Sequence, residues 1–269
     1  MSTSVAPDSA NERQVVTPQS YRERVYGRYV SAFKGQPTRD ERLPVIAKRM
    51  RVLDHWLGPL LKSHEIHDLL EVACGQGDIL YWAQQRGIKN AHGCDLSAEQ
   101  VAVAKALGVS AEKASFQDYL PRFQNSCDLI IAVDVIEHLS RDEAFELLDL
   151  CRGALRPQGL LVLTTPNGAA YRSGPVHFGD LTHETIFSPE SISVALRLAG
   201  FTCIQVNEMP PPPTSWKSRI RGRLWQFVRL WPLFVDLVET GGCSTKVLTR
   251  VMSVQANCED RSLRVFANE

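Results

Sequence analysis

The chain of 269 residues is 44% hydrophobic and 22% charged, a profile typical of a globular protein long enough to form a sizeable core. Thirty Lys and Arg residues balance thirty Asp and Glu residues, so the net charge gives no reason to expect a nucleic-acid partner. No stretch approaches the length of a membrane span, the first 20 residues lack an apolar signal core, and the seven cysteines form no C-x-x-C pair. We therefore expect a cytoplasmic protein with reduced cysteines.

The beginning of the chain predicts a tail followed by helices. Residues 1–20 are rich in Ser, Thr, Pro, Asn and Gln, which predicts a disordered tail. Residues 21–33 place tyrosines and valines at helical spacing, which fits either a helix packed on the domain or a lid over a pocket. Residues 43–62 carry apolar side chains at alternating intervals of four and three, which predicts an amphipathic helix.

The segment 66–83 predicts a strand, a glycine turn and a helix in succession, which together form a ligand-binding corner. Gly75 and Gly77 in the turn let the backbone come close to a bound molecule, because neither has a side chain. Glu71 at the strand end points a carboxylate at the pocket, which would repel a pyrophosphate and attract a positively charged ligand. S-adenosylmethionine (SAM) has an ammonium, a sulfonium, an adenosine and no phosphate, so SAM fits this corner better than a dinucleotide does.

Further acidic and amide side chains follow the next strands. Asp95 ends a second short strand, where a carboxylate can accept both hydroxyls of a ribose. Gln117 and Asp118 follow a third apolar run, where an amide or a carboxylate can meet the adenine amine. The predicted cofactor-binding residues are Glu71, Ala73, Gly75, Gly77, Asp95, Leu96, Gln117, Asp118 and Asp134.

Strands and helices alternate through the rest of the core. The almost wholly apolar strand at 127–134 is expected to be central, because both of its faces must be covered. Helices are predicted to begin at Ser140 and at Ser188, each as an N-cap, with strands at 160–165 and 201–206. This alternation predicts an α/β fold with a doubly wound parallel sheet.

The ordered set of residues resembles the class I SAM-dependent methyltransferases. Their first motif has the form acid-x-G-x-G-x-G, and here it reads Glu71-x-Ala73-x-Gly75-x-Gly77, with Ala73 as the departure. The resemblance covers roughly residues 40–207 and implies SAM as the cofactor. It also implies a Rossmann-like, seven-stranded, mostly parallel sheet, whose antiparallel seventh strand we place at 250–257 rather than at 262–267. We expect one domain over 21–269, with extra N-terminal helices and a C-terminal helical insertion at about 214–240.

The long polar loop at 166–187 follows a central strand and is expected to contact the methyl acceptor. A hydroxyl acceptor needs a general base, because its pKa lies far above neutral. His183 on this loop is the first candidate, with Asp180 or Glu184 to orient it, and a purely structural histidine is the alternative. His138 is the second candidate, since a Glu-His-Leu segment is common at this place in the resembled class.

Asp134, Glu137 and His138 also offer oxygen and imidazole ligands for a divalent ion, as in the ubiquinone-pathway O-methyltransferases that this segment resembles. A carboxylate at a helix start has a simpler structural explanation. We therefore predict that no metal is required.

Residues 216–237 predict a basic amphipathic helix that can break at Pro232. Its apolar side chains, among them Ile220, Leu224, Phe227 and Trp231, are expected to pack over the acceptor pocket. The alternative is that 216–235 lies on an anionic membrane surface.

Two short stretches narrow the resemblance to methyltransferases found with glycan and O-antigen biosynthesis enzymes: 26–34, and 179–183 with 187–189. The sequence thus predicts SAM-dependent methyl transfer to a hydroxyl of a small-molecule or sugar acceptor. A quinone- or natural-product-type O-methyltransferase is the alternative within the class. A non-catalytic scaffold with the same fold is the alternative outside it, and the intact SAM motifs argue against that.

Overall fold

The computed structural model describes residues 22, 25, 37–242 and 245–258, and all structural statements below concern these residues. The predicted tail at 1–20, most of the predicted helix at 21–33 and the alternative strand at 262–267 lie outside them.

A seven-stranded sheet forms the centre of the protein, in the order β3-β2-β1-β4-β5-β7-β6. All neighbouring strands are parallel except β7, which runs antiparallel to both β5 and β6. This confirms the predicted mostly parallel, doubly wound sheet and the placing of its seventh strand. The strands are β1 Asp68–Val72, β2 Asn90–Asp95, β3 Ser110–Lys113, β4 Cys127–Val133, β5 Leu155–Pro166, β6 Phe201–Glu208 and β7 Val251–Cys258.

Helices cover both faces of the sheet. They are α1 Arg39–Trp56, α2 Gly58–Ser63, α3 Asp78–Gln85, α4 Ala98–Ala106, α5 Phe116–Tyr119, α6 Arg141–Ala154, α7 Gly174–His177, α8 Pro189–Leu198, α9 Trp216–Val228 and α10 Leu230–Thr240. Short 3-10 turns span Leu120–Phe123 and Ile136–His138. The predicted N-caps Ser140 and Ser188 both form capping boxes, so the sequence located these two helix starts correctly.

Alternate residues along each central strand point into two separate cores, as the period of a strand requires. Leu70, Ile130 and Leu161 face one core, which α6 and α8 cover. Leu69 and Leu129 face the other, which α1, α2, α3 and α4 cover. The sheet is therefore buried on both sides, and the strand ends are left to carry polar side chains.

Two element boundaries differ from the sequence prediction. The expected helix at 43–62 begins earlier, at Arg39, and divides at Leu57 into α1 and α2. Pro59 lies in the first turn of α2, where its missing N–H costs nothing, whereas it could not continue α1 without a clash. Strand β5 begins at Leu155, five residues before the predicted strand, because its first part pairs with the start of β4 across an irregular register.

The C-terminal insertion lies between β6 and β7 and consists of α9 and α10. The break after Val228 agrees with Pro232, whose ring would clash with the carbonyl four residues earlier in a continuous helix. The expectation that its apolar side chains pack over the acceptor pocket is wrong. Neither helix buries a residue, and Phe227 is 72% exposed. Among the described residues, no helix is long and apolar enough to cross a membrane.

Candidate active site

A cleft of about 780 Å³ lies at the carboxyl ends of β1, β2, β4 and β5, where an open α/β sheet binds its ligands. Clefts of this size hold ligands as large as nucleosides. Most of the predicted site residues line it: Glu71, Ala73, Gly75, Asp95, Leu96, Gln117, Asp134, His138, Asp180 and His183. Gly77 and Asp118 are not among the lining residues.

The turn after β1 has left-handed backbone at three alternate residues, with φ of 53° at Ala73, 53° at Gly75 and 80° at Gly77. A Cβ on Gly77 would lie 2.7 Å from Val109 Cγ2, so this glycine is needed for packing against the neighbouring elements. A Cβ on Gly75 would make ordinary contact with the Gln100 side chain, at 3.5 Å. Only Gly75 therefore has the ligand-facing position that the sequence suggested for both glycines.

Asp95 holds this turn in place from the end of β2. Its two carboxylate oxygens accept hydrogen bonds from the backbone N–H of Gly75, at 2.9 Å, and of Ser97, at 2.8 Å. The side chain is buried yet borders the cleft. Each carboxylate oxygen has a second lone pair, so Asp95 can also accept from a ligand's hydroxyls.

Glu71 is only 4% exposed, and its Oε2 atom has no hydrogen-bond partner among the described residues. Burial, and then the negative charge of Asp78, raise the pKa of Glu71 well above its ordinary value. A buried carboxyl oxygen without a partner is costly, and a positively charged group in the cleft would offset that cost by favouring the ionised form of Glu71. The chemistry of this wall of the cleft therefore fits the ammonium end of SAM.

Two arginines on α1, Arg42 and Arg49, also border the cleft, and neither was predicted from the sequence. Arg49 Nη1 lies 2.9 Å from an oxygen of Asp78, and Arg42 makes a short ion pair with the other oxygen. Arg42 and Arg49 are seven residues apart, so they lie on one face of the helix. The helix predicted at 43–62 begins after Arg42, so the sequence did not show that the two arginines share a helix face. The arginines give this end of the cleft a positive side that can meet a carboxylate.

The residues predicted to meet adenine divide between two roles. Gln117 borders the cleft, and its Nε2 atom donates to Glu146 on α6 at 3.2 Å. The carboxylate of Asp118 accepts from the hydroxyl of Ser115, the N-cap of α5, at 2.7 Å. Asp118 thus stabilises the helix start, and it is not among the residues that line the cleft.

His138 and His183 lie side by side in the cleft, with ring centroids 4.8 Å apart. The Nδ1 atom of His183 lies 3.0 Å from the carbonyl oxygen of His177. The Nδ1 atom of His138 lies 3.2 Å from the carbonyl oxygen of Thr182. A carbonyl can only accept, so each Nδ1 carries the proton and each neutral ring presents an unprotonated Nε2. The structure therefore brings together both histidines that the sequence singled out, in the tautomer that a general base needs.

Asp180 is connected to His138 through Thr182, a residue that the sequence analysis did not select. The Thr182 hydroxyl lies 2.6 Å from the Asp180 carboxylate, to which it donates, and 2.8 Å from His138 Nδ1. Burial opposes ionisation of Asp180, but the hydrogen bonds from Thr182, together with the nearby His138 and His183, outweigh it and lower the pKa of Asp180. Asp180 or Glu184 was expected to orient the His183 ring. The His177 carbonyl oxygen holds the Nδ1 atom of that ring instead.

Glu184 pairs instead with Arg22, one of the two described residues of the predicted N-terminal helix. Arg22 lies 2.7 Å from Glu184 and 2.5 Å from Glu143, and it donates to the carbonyl of His138 at 3.2 Å. The guanidinium lowers the pKa of Glu143 to about 2. Arg22 borders the cleft, so the N-terminal segment reaches the site at this residue.

Metal-ligating atoms of Glu137, His138 and His183 lie within 4.8 Å of one another. Asp134, which the sequence had grouped with Glu137 and His138, accepts from the Thr164 hydroxyl at 2.8 Å instead. Glu137 is 1% exposed, and burial and the charge of Asp134 raise its pKa to about 8. A largely protonated carboxyl is a poor metal ligand at neutral pH.

The sheet order, the turn after β1 and the acidic residues at the ends of β1 and β2 define a class I SAM-dependent methyltransferase. The family model described as a methyltransferase domain matches residues 19–206, and the chain belongs to this family. No curated protein sequence matches the chain.

Solved structures with this fold include a SAM-dependent methyltransferase from Archaeoglobus fulgidus, with 18% identity over 85% of this chain and 97% of that one, and a TM-score of 0.57. A SAM-dependent methyltransferase from Thermotoga maritima has 16% identity over 88% of this chain and 100% of that one, and a TM-score of 0.56. Phosphoethanolamine N-methyltransferase 2 from Haemonchus contortus, in complex with phosphomonomethylethanolamine and S-adenosylhomocysteine, has 18% identity over 76% of this chain and 53% of that one, and a TM-score of 0.52. At these identities the likeness concerns the fold. The cofactor of this protein is SAM, and its activity is methyl transfer.

Proposed function

We propose that the protein methylates a hydroxyl group of a small-molecule acceptor, with a sugar or glycan hydroxyl as the preferred class, and that His138 is the general base. The observation that carries this proposal is the chain of contacts from Asp180 through Thr182 to His138. A hydroxyl must lose its proton as the new bond to carbon forms, whereas a neutral amine can attack without prior help. A base with its own supporting carboxylate is therefore expected of a hydroxyl methyltransferase.

His138 is a better candidate than His183 because its protonated form would be the better stabilised of the two. The imidazolium formed at His138 would be stabilised by the Asp180 charge, which Thr182 brings within reach. The Nδ1 atom of His183 rests on the neutral His177 carbonyl, so the Asp180 charge acts on that ring through space and not through a hydrogen-bonded hydroxyl. We assign His183 to positioning the acceptor beside His138, and Asp180 to supporting the base.

We also propose how the chain holds its cofactor, which supplies a methyl group on a positively charged sulfur. Asp95 would accept the ribose hydroxyls, with the Leu96 backbone beside it, and Gln117 would meet the adenine. The Glu71 carboxylate would receive the ammonium, and Gly75 would let the backbone approach. Arg49 would meet the carboxylate end, because it is the more exposed of the two arginines on α1.

We propose that the reaction needs no metal. Proton removal by His138 requires a free lone pair on Nε2, and a cation bound between Glu137, His138 and His183 would occupy it. Activity should therefore persist in buffer with a chelator, and added zinc should inhibit. Restoration of a chelated, inactive enzyme by magnesium or manganese would contradict this.

The test is a transfer assay with methyl-labelled SAM and a panel of acceptors: sugar nucleotides and free sugars, a catechol for the quinone or natural-product class, and ethanolamine and histamine as amines. We expect a sugar hydroxyl to be labelled, with kcat reduced about 10²- to 10⁴-fold in His138→Ala. His64→Ala, a change on an exposed histidine remote from the cleft, is the matched control. Labelling of the amines alone, with His138→Ala fully active, would overturn the proposal. Labelling of the catechol alone would move the acceptor to the alternative class.

A further inference from the structure

The two helices between β6 and β7 each expose a row of apolar side chains. In α9, Trp216, Ile220, Leu224 and Val228 succeed one another at intervals of four residues and so lie on one face of the helix. In α10 the exposed apolar side chains are Leu230, Trp231, Phe234, Leu237 and Val238, again at intervals of three and four. We call these side chains, together with Phe227, the insertion surface; each is between 46% and 72% exposed.

Basic residues flank the stripe of α9 on both sides. Arg219 and Arg223 are one turn apart along one edge, and Lys217 and Arg221 are one turn apart along the other. None of these four side chains forms an ion pair with another described residue, and Lys217 lies 5.6 Å from the centre of the Trp216 ring. Neither edge of α9 carries an acidic residue. Long basic side chains beside an exposed apolar stripe can extend their charges to the level of anionic headgroups while the stripe enters the layer below.

The segment that forms α9 and α10 leaves the sheet and returns to it at the edge where the cleft lies. Glu208 ends β6 opposite Met252, near the start of β7, and Val251 borders the cleft. Arg229, at the break between the helices, lies 3.3 Å from Glu208 and fixes the pair of helices to this edge. The pair of helices is therefore attached at the edge of the sheet where the cleft opens.

We propose that the insertion surface binds the face of an anionic lipid bilayer, with α9 and α10 lying in the plane of the membrane. The charge pattern decides between the occupants of such a face. A nucleic acid would use the arginines but would leave the broad aliphatic and aromatic stripe in water. A second copy of this chain would bury the stripe but would bring two sets of arginines together. An anionic bilayer satisfies both features at once.

The experiment is co-sedimentation of the full-length protein with sucrose-loaded vesicles of phosphatidylcholine alone, or with 30% phosphatidylglycerol (about that fraction suffices for a strong negative surface potential). We expect binding to the anionic vesicles only, weakened by high salt. The variant R219Q/R221Q/R223Q should lose at least about tenfold in partitioning, because each basic residue near the surface adds to the attraction. The control K48Q/R51Q/K62Q removes the same charge from exposed positions on α1 and α2 and should bind as the wild type does.

A second measurement tests the apolar half of the proposal. Bromine-labelled phosphatidylglycerol quenches tryptophans that enter the acyl region, so it should quench the wild type and quench W216F/W231F much less. Trp82 is fully buried and serves as the internal reference. Absence of binding to anionic vesicles, or equal binding by the two triple variants, would overturn the proposal. So would sedimentation equilibrium showing a lipid-free dimer that Phe227→Ser and Phe234→Ser convert to a monomer, since the face would then be an interface between copies. None of these readouts depends on the identity of the methyl acceptor.

Discussion

The Nδ1 atom of His138 lies 2.8 Å from the hydroxyl oxygen of Thr182. That hydroxyl also donates to Asp180 at 2.6 Å, so a carboxylate on the loop at 166–187 is connected to a histidine that follows β4. We expect Thr182→Val, which keeps the shape and removes the hydroxyl, to lower kcat about tenfold to 100-fold, less than loss of the base itself. The KM for SAM should change little, because Thr182 touches neither Asp95 nor the turn after β1. Initial rates over pH 5 to 9 measure this.

The pH profile separates this supporting role from a merely structural one. The base must be neutral, so kcat/KM rises with pH through the pKa of His138 and then levels off. Burial and the neighbouring His183 lower this pKa, so the rise should lie below pH 6.5. The Thr182 hydroxyl donates to Asp180 and so can accept from the protonated ring at Nδ1; Thr182→Val removes this hydrogen bond and should move the rise to still lower pH. Thr182→Ser should restore both rate and profile, and equal impairment of the Val and Ser variants would count against the connection.

Asp95 gives the second prediction, because its carboxylate both holds the turn after β1 and borders the cleft. Asp95→Ala should weaken SAM binding at least about tenfold, since two or more hydrogen bonds to a charged group are lost. Titration calorimetry with SAM measures this. Asp118→Ala makes the same chemical change outside the cleft and should leave the dissociation constant unchanged. Equal losses in the two variants would mean that Asp118 also contacts the cofactor.

The sequence predicted those parts of the site that depend on strand ends. Glu71 and Asp95 lie at the carboxyl ends of neighbouring parallel strands. Parallel strands bring their carboxyl ends to the same edge of the sheet, and this does not depend on the conformation of the loops. The contact between His138 and Thr182 joins residues 44 positions apart, and it depends on the path of an irregular loop that no periodicity encodes. The insertion was located correctly, but its helical period shows only which side chains share a face. It cannot show whether that face is covered, which is why the packing of Phe227 was wrongly predicted.

Ala73 gives a prediction about stability, because it has a φ of 53° at the position where the resembled motif has glycine. Left-handed backbone costs an L-residue with a side chain about 1 kcal/mol of conformational free energy, and it costs glycine almost nothing. Ala73→Gly should therefore raise the melting temperature by about 2 °C in the absence of SAM. Ala102→Gly, on the exposed side of α4, removes the same methyl group from ordinary helical backbone and should lower it by a similar amount. Two shifts of the same sign would mean that the turn is not strained at Ala73.

Glu137 is expected to make stability depend on pH. Burial raises its pKa to about 8 in the folded protein, against 4.5 in the unfolded chain. Between these values the folded state holds a proton that the unfolded state has released, so stability falls as pH rises and becomes level above pH 8. Glutamine is neutral throughout, so Glu137→Gln should remove this part of the decline and be more stable than the wild type at pH 8.5, by an amount on the order of 5 kcal/mol.

The measurement is urea denaturation of both proteins at pH 5, 6.5 and 8.5, with chelator and without SAM. Glu71 also has a raised pKa and lowers stability in the same direction, but it is present in both proteins, so their difference isolates Glu137. Glu146→Gln, on the exposed side of α6, is the matched control and should follow the wild type at all three pH values. Curves for Glu137→Gln that run parallel to the wild type would mean that the carboxyl is ionised in the folded protein. It would then be an available ligand beside His138, and the proposal of a metal-free base would have to be tested again at that site.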